Sequence, residues 1–277
     1  ASAVANEGGV GVISSAGLGL LYRNLSKDYI QASIMGLKEE LRKAREKTKG
    51  VIGVNVMVAM SNFADMVKTA IAEKADIIFS GAGLPLNLPS FLQKDSVTKL
   101  VPIVSSARAA RVIAEKWHNL YNYLPDAFVV EGPKAGGHLG FKDEQINDEH
   151  FSLEHIVPEV IEVIKAYEKS GHCKIPVIAA GGIADGRGIA AAIMLGAKGV
   201  QMGTHFVVTD ESQVHENYKE RIIKAKDIDS KVTGRTTGHP VRALRNDMTR
   251  KYLELENAGA GFEELEKLTL GDLEKQL

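Results

Sequence analysis

Two glycine-bearing turns at the ends of successive apolar runs offer the plainest chemistry in this chain. Pro176-Val-Ile-Ala-Ala-Gly-Gly-Ile-Ala-Asp-Gly-Arg-Gly188 closes one such run in Gly181-Gly182 and opens a helical stretch near Asp185. Gly196-Ala-Lys-Gly-Val-Gln-Met-Gly-Thr204 closes the next in Gly203-Thr204. Glycine lets main-chain N–H groups approach an anion, a threonine hydroxyl can add a donor, and a helix N-terminus favours negative charge. Either turn alone reads as an ordinary tight turn. The pair, on consecutive strands and with these residue types, favours a phosphate site.

A second constellation is Glu131-Gly-Pro-Lys-Ala-Gly-Gly-His-Leu-Gly140. Small and turn-forming residues there lead to one imidazole, that of His138. Such a loop can lie flat beneath a planar ligand, and histidine is the natural proton-transfer residue near neutral pH. An exposed loop with an incidental histidine is the competing reading; the position after an apolar run and the glycine density favour function. Asn55 sits inside the apolar run Gly53-Val-Asn-Val-Met57. A buried amide without partners costs about 1–3 kcal/mol, so Asn55 reads either as a donor to a bound ring system or as a satisfied core amide. Ser80-Gly81-Ala82-Gly83 closes another run with further backbone N–H groups.

The remaining titratable groups carry less. His118, His150, His155, His172 and His215 fall on helical or charged stretches and read as solvated, His205 follows the second glycine turn, and His239 lies in a C-terminal Gly/Thr/Arg-rich stretch. No pair has metal-ligand spacing, and no metal is expected. Ser14-Ser15 and Ser105-Ser106 lack a nucleophile-elbow sequence. The single cysteine, Cys173, rules out an internal disulfide and reads as a structural or incidental thiol.

These residues need a scaffold that sets strand ends side by side. Short Val/Ile-rich runs without clean polar alternation span Val10 to Ser14, Ile52 to Val58, Ile77 to Ser80, Leu100 to Val104, Ala127 to Val130, Pro176 to Ala180 and Gly199 to Met202. They read as strands buried on both faces. Amphipathic stretches at Tyr29 to Lys47, Phe63 to Lys74, Ala107 to Trp117, Leu153 to Lys169 and Gly186 to Leu195 alternate with them, and Leu86 to Lys99 is a weaker one. Strand–helix alternation predicts right-handed βαβ units and a parallel sheet. The opening Ala1 to Gly9 reads as the last turns of a helix meeting a glycine stop, so an earlier strand is expected before it. Seven strands and that one make the eight of a TIM-type β/α barrel, expected over residues 1–209. An open doubly wound sheet is the competitor, but Gly17-Leu18-Gly19 lacks the rest of a dinucleotide fingerprint. Residues 210–277 read as a helical lid: Glu211 to Lys226, a loop at Lys231 to Arg245, then polar helices at Asp247 to Glu256 and Phe262 to Leu277.

Composition narrows the partners. With a net charge of −1 and 6% aromatic residues, the chain has neither a basic footprint nor a stacking surface for nucleic acid. No apolar run reaches the roughly 20 residues of a membrane helix. A small-molecule substrate is expected, a homodimer is left open, and the cysteine economy suits a cytoplasmic location.

Taken together, Ala3-Val-Ala-Asn-Glu-Gly-Gly-Val-Gly-Val-Ile13, Gly53 to Met57, Ala135-Gly-Gly-His138, Ala179-Ala-Gly-Gly-Ile-Ala-Asp-Gly186 and Gln201-Met-Gly-Thr204 resemble the nitronate monooxygenase (2-nitropropane dioxygenase) family. The resemblance runs from residue 1 to about 257 and implies a β/α barrel that holds FMN non-covalently. It puts Gly181, Gly182, Gly203 and Thr204 on the FMN phosphate. Asn55, Glu131, Gly136, Gly137, Ala180 and Gln201 would line the flavin, and His138 would face the substrate as a base or as a partner of an anionic nitronate. The implied reaction oxidises nitronates or nitroalkanes with oxygen to a carbonyl compound and nitrite.

Asn217-Tyr-Lys-Glu-Arg221 and Gly238-His-Pro-Val-Arg-Ala-Leu-Arg-Asn246 resemble instead the tail of flavin-dependent enoyl-acyl-carrier-protein reductases. That resemblance implies NAD(P)H as a co-substrate and leaves that activity, or an NAD(P)H:quinone reductase, as alternatives; a non-catalytic flavin- or phosphate-binding fragment is another. Relatives differ in two places. They begin with a strand ending in a Gln-Gly-Gly-Met-like turn, and they often carry Arg where His205 stands.

Overall fold

The structure, a computed structural model, describes residues 1–171, 173–238 and 240–268. Its parallel strands are β1 (Gly11–Ser14), β2 (Ile52–Met57), β3 (Ile77–Gly81), β4 (Lys99–Val104), β5 (Phe128–Glu131), β7 (Val177–Ala180) and β8 (Gly199–Gln201). They follow one another in the order β1-β2-β3-β4-β5-β7-β8. A parallel sheet wound in sequence order is the topology of a TIM-type β/α barrel, and all seven strands coincide with the runs read from sequence. A second sheet, with order β6-β10-β9, joins β6 (Gly137–His138), β9 (Ser230–Thr233) and β10 (Val241–Leu244).

The helices are α1 (Ser2–Asn6), α2 (Leu18–Leu21), α3 (Tyr29–Lys47), α4 (Phe63–Ala72), α5 (Ala107–Tyr121), α6 (Asp143–Ile146), α7 (Leu153–Gly171), α8 (Gly186–Met194), α9 (Thr204–Val207), α10 (Glu216–Lys224) and α11 (Asp247–Asn257). Leu86 to Lys99, the weaker helical expectation, holds only a short 3-10 turn at Leu88–Phe91, where Pro89 removes a donor.

Two compact units are distinguished, residues 1–130 with 158–178 and residues 131–157 with 179–277. In the first, β2 pairs with β1 and β3 in parallel, and Ile52, Val54, Val56, Ile78 and Leu100 are fully buried. Burial on both faces is why these runs lack polar alternation. Leu37, Leu41 and Ala44 form the buried stripe of α3, and Ala110, Ile113, Ala114 and Trp117 that of α5. The helices begin where their sequences cap them. Asp28 accepts from the Gln31 amide at 2.8 Å and Ser106 from the Ala109 amide at 3.2 Å. Aspartates pin the strand entries, since Asp76 Oδ2 accepts from the Ile52 amide at 2.7 Å and Asp126 Oδ2 from the Leu100 amide at 2.9 Å.

In the second unit, β10 is the central strand of the antiparallel sheet, with Val241 opposite both His138 and Thr233. The stretch Lys231 to Arg245, read from sequence as a loop, thus supplies two strands. Their central partnership with β6 links residues about a hundred positions apart, which no local pattern reveals. α11 starts at a reciprocal cap in which Asn246 Oδ1 accepts from the Thr249 amide and Thr249 Oγ1 accepts from the Asn246 amide, both at 2.8 Å. Beyond it, 262–268 are helical, and the rest of the expected helix to Leu277 lies outside the described residues.

Candidate functional site

The second unit brings most of the expected residues together through one pairing. The Gly132 amide donates to the Ala180 carbonyl at 2.9 Å, setting the end of β5 beside the end of β7. Ala180 is buried, and Gly181 and Gly182 follow with φ of +100° and +76°. Only glycine adopts such angles without strain. The packing demands glycine too. A Cβ on Gly181 would lie 2.9 Å from the Gly132 carbonyl oxygen and 3.1 Å from the Ala135 amide nitrogen. On Gly182 it would lie 2.9 Å from Cβ of Lys134. The Gly-Gly turn is therefore seated on the Glu131 to His138 loop, with the Lys134 stem against it.

Asp185 alters the anion argument at α8. Its Oδ1 accepts from the Arg187 and Gly188 amides, both at 3.0 Å. A carboxylate already occupies the donors of that helix start, so an anion has to be met elsewhere. Gly203 caps α9, whose first residues, Thr204 and His205, have amides with no acceptor within the helix itself. A Cβ on Gly203, Gly136 or Gly137 would meet nothing within 4 Å, so a ligand can approach these main-chain segments closely. Gln201 is half-buried at the end of β8, and Thr204 is exposed. His205 is exposed too, its ring edge-on to Phe206 with centroids 6.2 Å apart.

Glu131 ends β5 half-buried, and burial pushes its carboxyl up to about 7. Desolvation favours the neutral form, and a carboxyl perturbed in this way at a strand end marks a candidate site. His138 is exposed on β6 and is held there by the β10 segment. It is the register partner of Val241, and the Leu139 amide donates to the Pro240 carbonyl at 2.9 Å.

Asn55 belongs to the first unit. It is half-buried in β2 between Ser14 of β1 and Phe79 of β3, and its carbonyl accepts from the Ser15 amide at 3.0 Å. Three buried polar side chains in that unit have no hydrogen-bond partner among the described residues: Ser15 Oγ, Ser80 Oγ, and both amide atoms of Asn62. Ser15 follows β1, Asn62 follows β2, and Ser80 is near the end of β3. The carboxyl ends of parallel strands are where β/α barrels hold ligands, and orphaned buried polar atoms there call for a partner. Within the second unit, the residues present fit a polar, phosphate-bearing cofactor: open glycine backbone and one near-neutral carboxyl.

Sequence reasoning missed Asn62 and Lys134. Asn62 is the N-cap residue of α4, although its side chain makes no cap bond. Lys134 stood in plain view within the Glu131 to His138 loop. His172 and His239 lie outside the described residues. Among the described residues no group of three or more His, Cys, Asp or Glu is placed to hold a metal ion, and no helix is long and apolar enough to cross a membrane.

A parallel sheet wound in chain order, with helices between its strands, defines a β/α-barrel protein. The chain belongs to the nitronate monooxygenase family, which matches residues 1–276, a family of flavoprotein oxidoreductases. It is 32% identical over 261 residues to a hydroxy-methyl-oxo-octahydroindene-carboxyl-CoA dehydrogenase of Mycobacterium tuberculosis, covering 94% of this chain and 63% of that protein. It is 32% identical over 203 residues to a probable nitronate monooxygenase of Staphylococcus saprophyticus, covering 73% of this chain and 53% of that one. Among solved structures, FabK from Thermotoga maritima superimposes with a TM-score of 0.77 at 35% identity, covering 100% of this chain and 76% of that one. The chain therefore spans less than two thirds of the length of these two curated relatives.

Proposed function

We propose that this chain binds FMN and oxidises nitronates or nitroalkanes with oxygen to a carbonyl compound and nitrite. The observation that carries the reading is the Gly132–Ala180 pairing, which joins the Glu131 to His138 loop to the Gly181-Gly182 turn at neighbouring strand ends. In this reading the Gly182, Gly203 and Thr204 amides and the Thr204 hydroxyl hold the FMN phosphate, and Lys134 supplies the counter-charge. Gly136 and Gly137 allow the ring system to lie on bare backbone, with Glu131, Ala180 and Gln201 around it.

Bound FMN supplies the redox chemistry, accepting electrons from the substrate. The side chains do the rest. His138 takes the proton from the carbon bearing the nitro group, or as imidazolium donates to the nitronate oxygens. Glu131, largely neutral below about 7, adds no negative charge beside an anionic substrate and can donate one hydrogen bond.

A second reading has a specific observation behind it. The FabK likeness extends over 100% of the chain, which favours a nicotinamide-dependent reductase of the same fold. Anaerobic mixing of the FMN-loaded chain with propyl-1-nitronate, NADH or NADPH separates the two. Bleaching of the flavin by the nitronate alone supports the oxidase reading. Rapid bleaching by a nicotinamide, with none by the nitronate, replaces it with the reductase. A full-length protein that stays colourless and takes up no FMN removes both.

A further inference from the structure

One residue of β10 holds the loop that carries His138 at two points. Arg242 is the register partner of Gly137 on β6, and its side chain reaches back to the start of the same loop, where Nη2 donates to the Pro133 carbonyl at 3.0 Å. The five residues from Pro133 to Gly137 are thus bracketed by a residue 109 positions from Pro133 in sequence. Nη1 donates to Ser230 Oγ at 3.1 Å. Ser230 is opposite Leu244, two along from Arg242, and so lies on the same face of the antiparallel sheet. His138 is opposite Val241, one step out of phase, and its side chain leaves by the other face. The guanidinium therefore holds the loop from the side that His138 does not use.

An arginine is an expensive residue for this position unless the loop needs it. Its Nη atoms are taken up by neutral oxygens, and Nε is buried with no partner among the described residues. Burial lowers its pKa, yet a guanidinium stays charged at any ordinary pH. A desolvated charge on neutral oxygens disfavours folding relative to an apolar side chain of similar length. The loop itself is poorly self-supporting. A Cβ on Gly136 or Gly137 would meet nothing within 4 Å, and Gly137 has a φ of +80°. Glycine backbone without packed side chains has the most freedom to lose on becoming ordered. Toward β7 the loop is seated by the Gly132–Ala180 bond and by the Lys134 stem on Gly182. On its far side β10 supplies the hold.

We infer that Arg242 is a positioning residue: its guanidinium, fixed between Ser230 and Pro133, sets the Pro133 to Gly137 backbone and through it the reach of His138 toward substrate. The inference rests on the reading of His138 as the group that takes the proton. Arg242 takes no part in proton transfer and acts only through the loop.

The test replaces Arg242 with Met, which keeps the length and removes the donors. Hydrogen–deuterium exchange of the substrate-free chain should quicken roughly threefold to tenfold at residues 134–138 and stay at the parent rate in α3 and α5. In the FMN-loaded chain, kcat for a neutral nitroalkane should fall roughly tenfold to 10²-fold with KM little changed. Made in a His138→Ala background, Arg242→Met should add almost no further loss, because a positioning effect vanishes with the group it positions. Parent-like exchange in the loop overturns the inference, and so do losses that multiply in the double variant. If Arg242→Met does not fold, Arg242→Lys takes its place, since an ammonium keeps the charge but cannot span two acceptors as a planar fork does. Loop exchange faster than in the parent is again expected, and parent-like exchange again overturns the inference. A parent chain that oxidises neither nitroalkane nor nitronate removes the proposed reaction by itself. The exchange comparison needs no turnover and still decides whether Arg242 holds the loop.

Discussion

Gly132 and Ala180 are joined by one main-chain hydrogen bond of 2.9 Å, and a Cβ on the next residue, Gly181, would strike the Gly132 carbonyl oxygen at 2.9 Å. Two glycine motifs far apart in sequence are thereby a single packed element, and each limits what the other can become.

Gly181→Ala tests that packing. At φ +100° an alanine is strained, and its methyl group meets backbone that cannot swing aside. A loss of about 1–3 kcal/mol is expected in urea denaturation, together with weaker FMN uptake. Parent-like stability would mean that the loops separate readily.

Lys134→Gln separates charge from packing. The stem that lies against Gly182 is largely kept, and the ammonium is lost. Fluorescence titration of FMN should show Kd rising roughly threefold to tenfold at low salt, with a smaller difference at high salt. Equal affinities at both ionic strengths would remove Lys134 from the phosphate site.

His138→Ala addresses proton transfer. The residue is exposed and held only through main-chain bonds, so the fold should tolerate the change. Turnover of a neutral nitroalkane should fall roughly 10²–10⁴-fold, with a smaller loss for the preformed nitronate, which needs no deprotonation. Equal losses on both substrates would argue for nitronate stabilisation instead of base catalysis.

Glu131→Gln probes the raised carboxyl through pH. Its ordinary pKa is 4.5 and burial raises it to about 7 in the fold. Below 4.5 the side chain is neutral both folded and unfolded, and no penalty applies. As pH rises through this window the unfolded chain ionises first, so the parent loses stability, and above about 7 the penalty is constant. The Gln variant lacks that decline. Denaturation at about pH 5 and about pH 8 should show the variant gaining on the parent by at most about 3 kcal/mol. A constant difference across this range would mean that Glu131 titrates normally.

Much of the fold was legible because its signals are local. Short apolar runs such as Ile77 to Phe79, bounded by turn residues, read as buried strands, and capping residues such as Asp28 and Ser106 mark where helices begin. The glycine turns were legible for the same reason: few other residues adopt the backbone angles of Gly181 and Gly182, or leave the main chain as open as Gly203 does.

Other features were hidden because they depend on distant partners. Val232 and Arg242 lie in stretches too short and polar to announce strands, and only the pairing of Arg242 with Gly137 on one side and Val232 on the other makes them so. The Asp185 side chain turned out to cap α8, occupying donors that the sequence alone offered to an anion. Lys134 carried no sign that its stem would lie on Gly182, and Arg242 none that it would reach Pro133. The order of the strands and the chemistry of their turns were thus set by sequence. Which charge sits beside which amide was decided by tertiary packing, since a side chain's neighbours are chosen by the fold and not by the residues next to it.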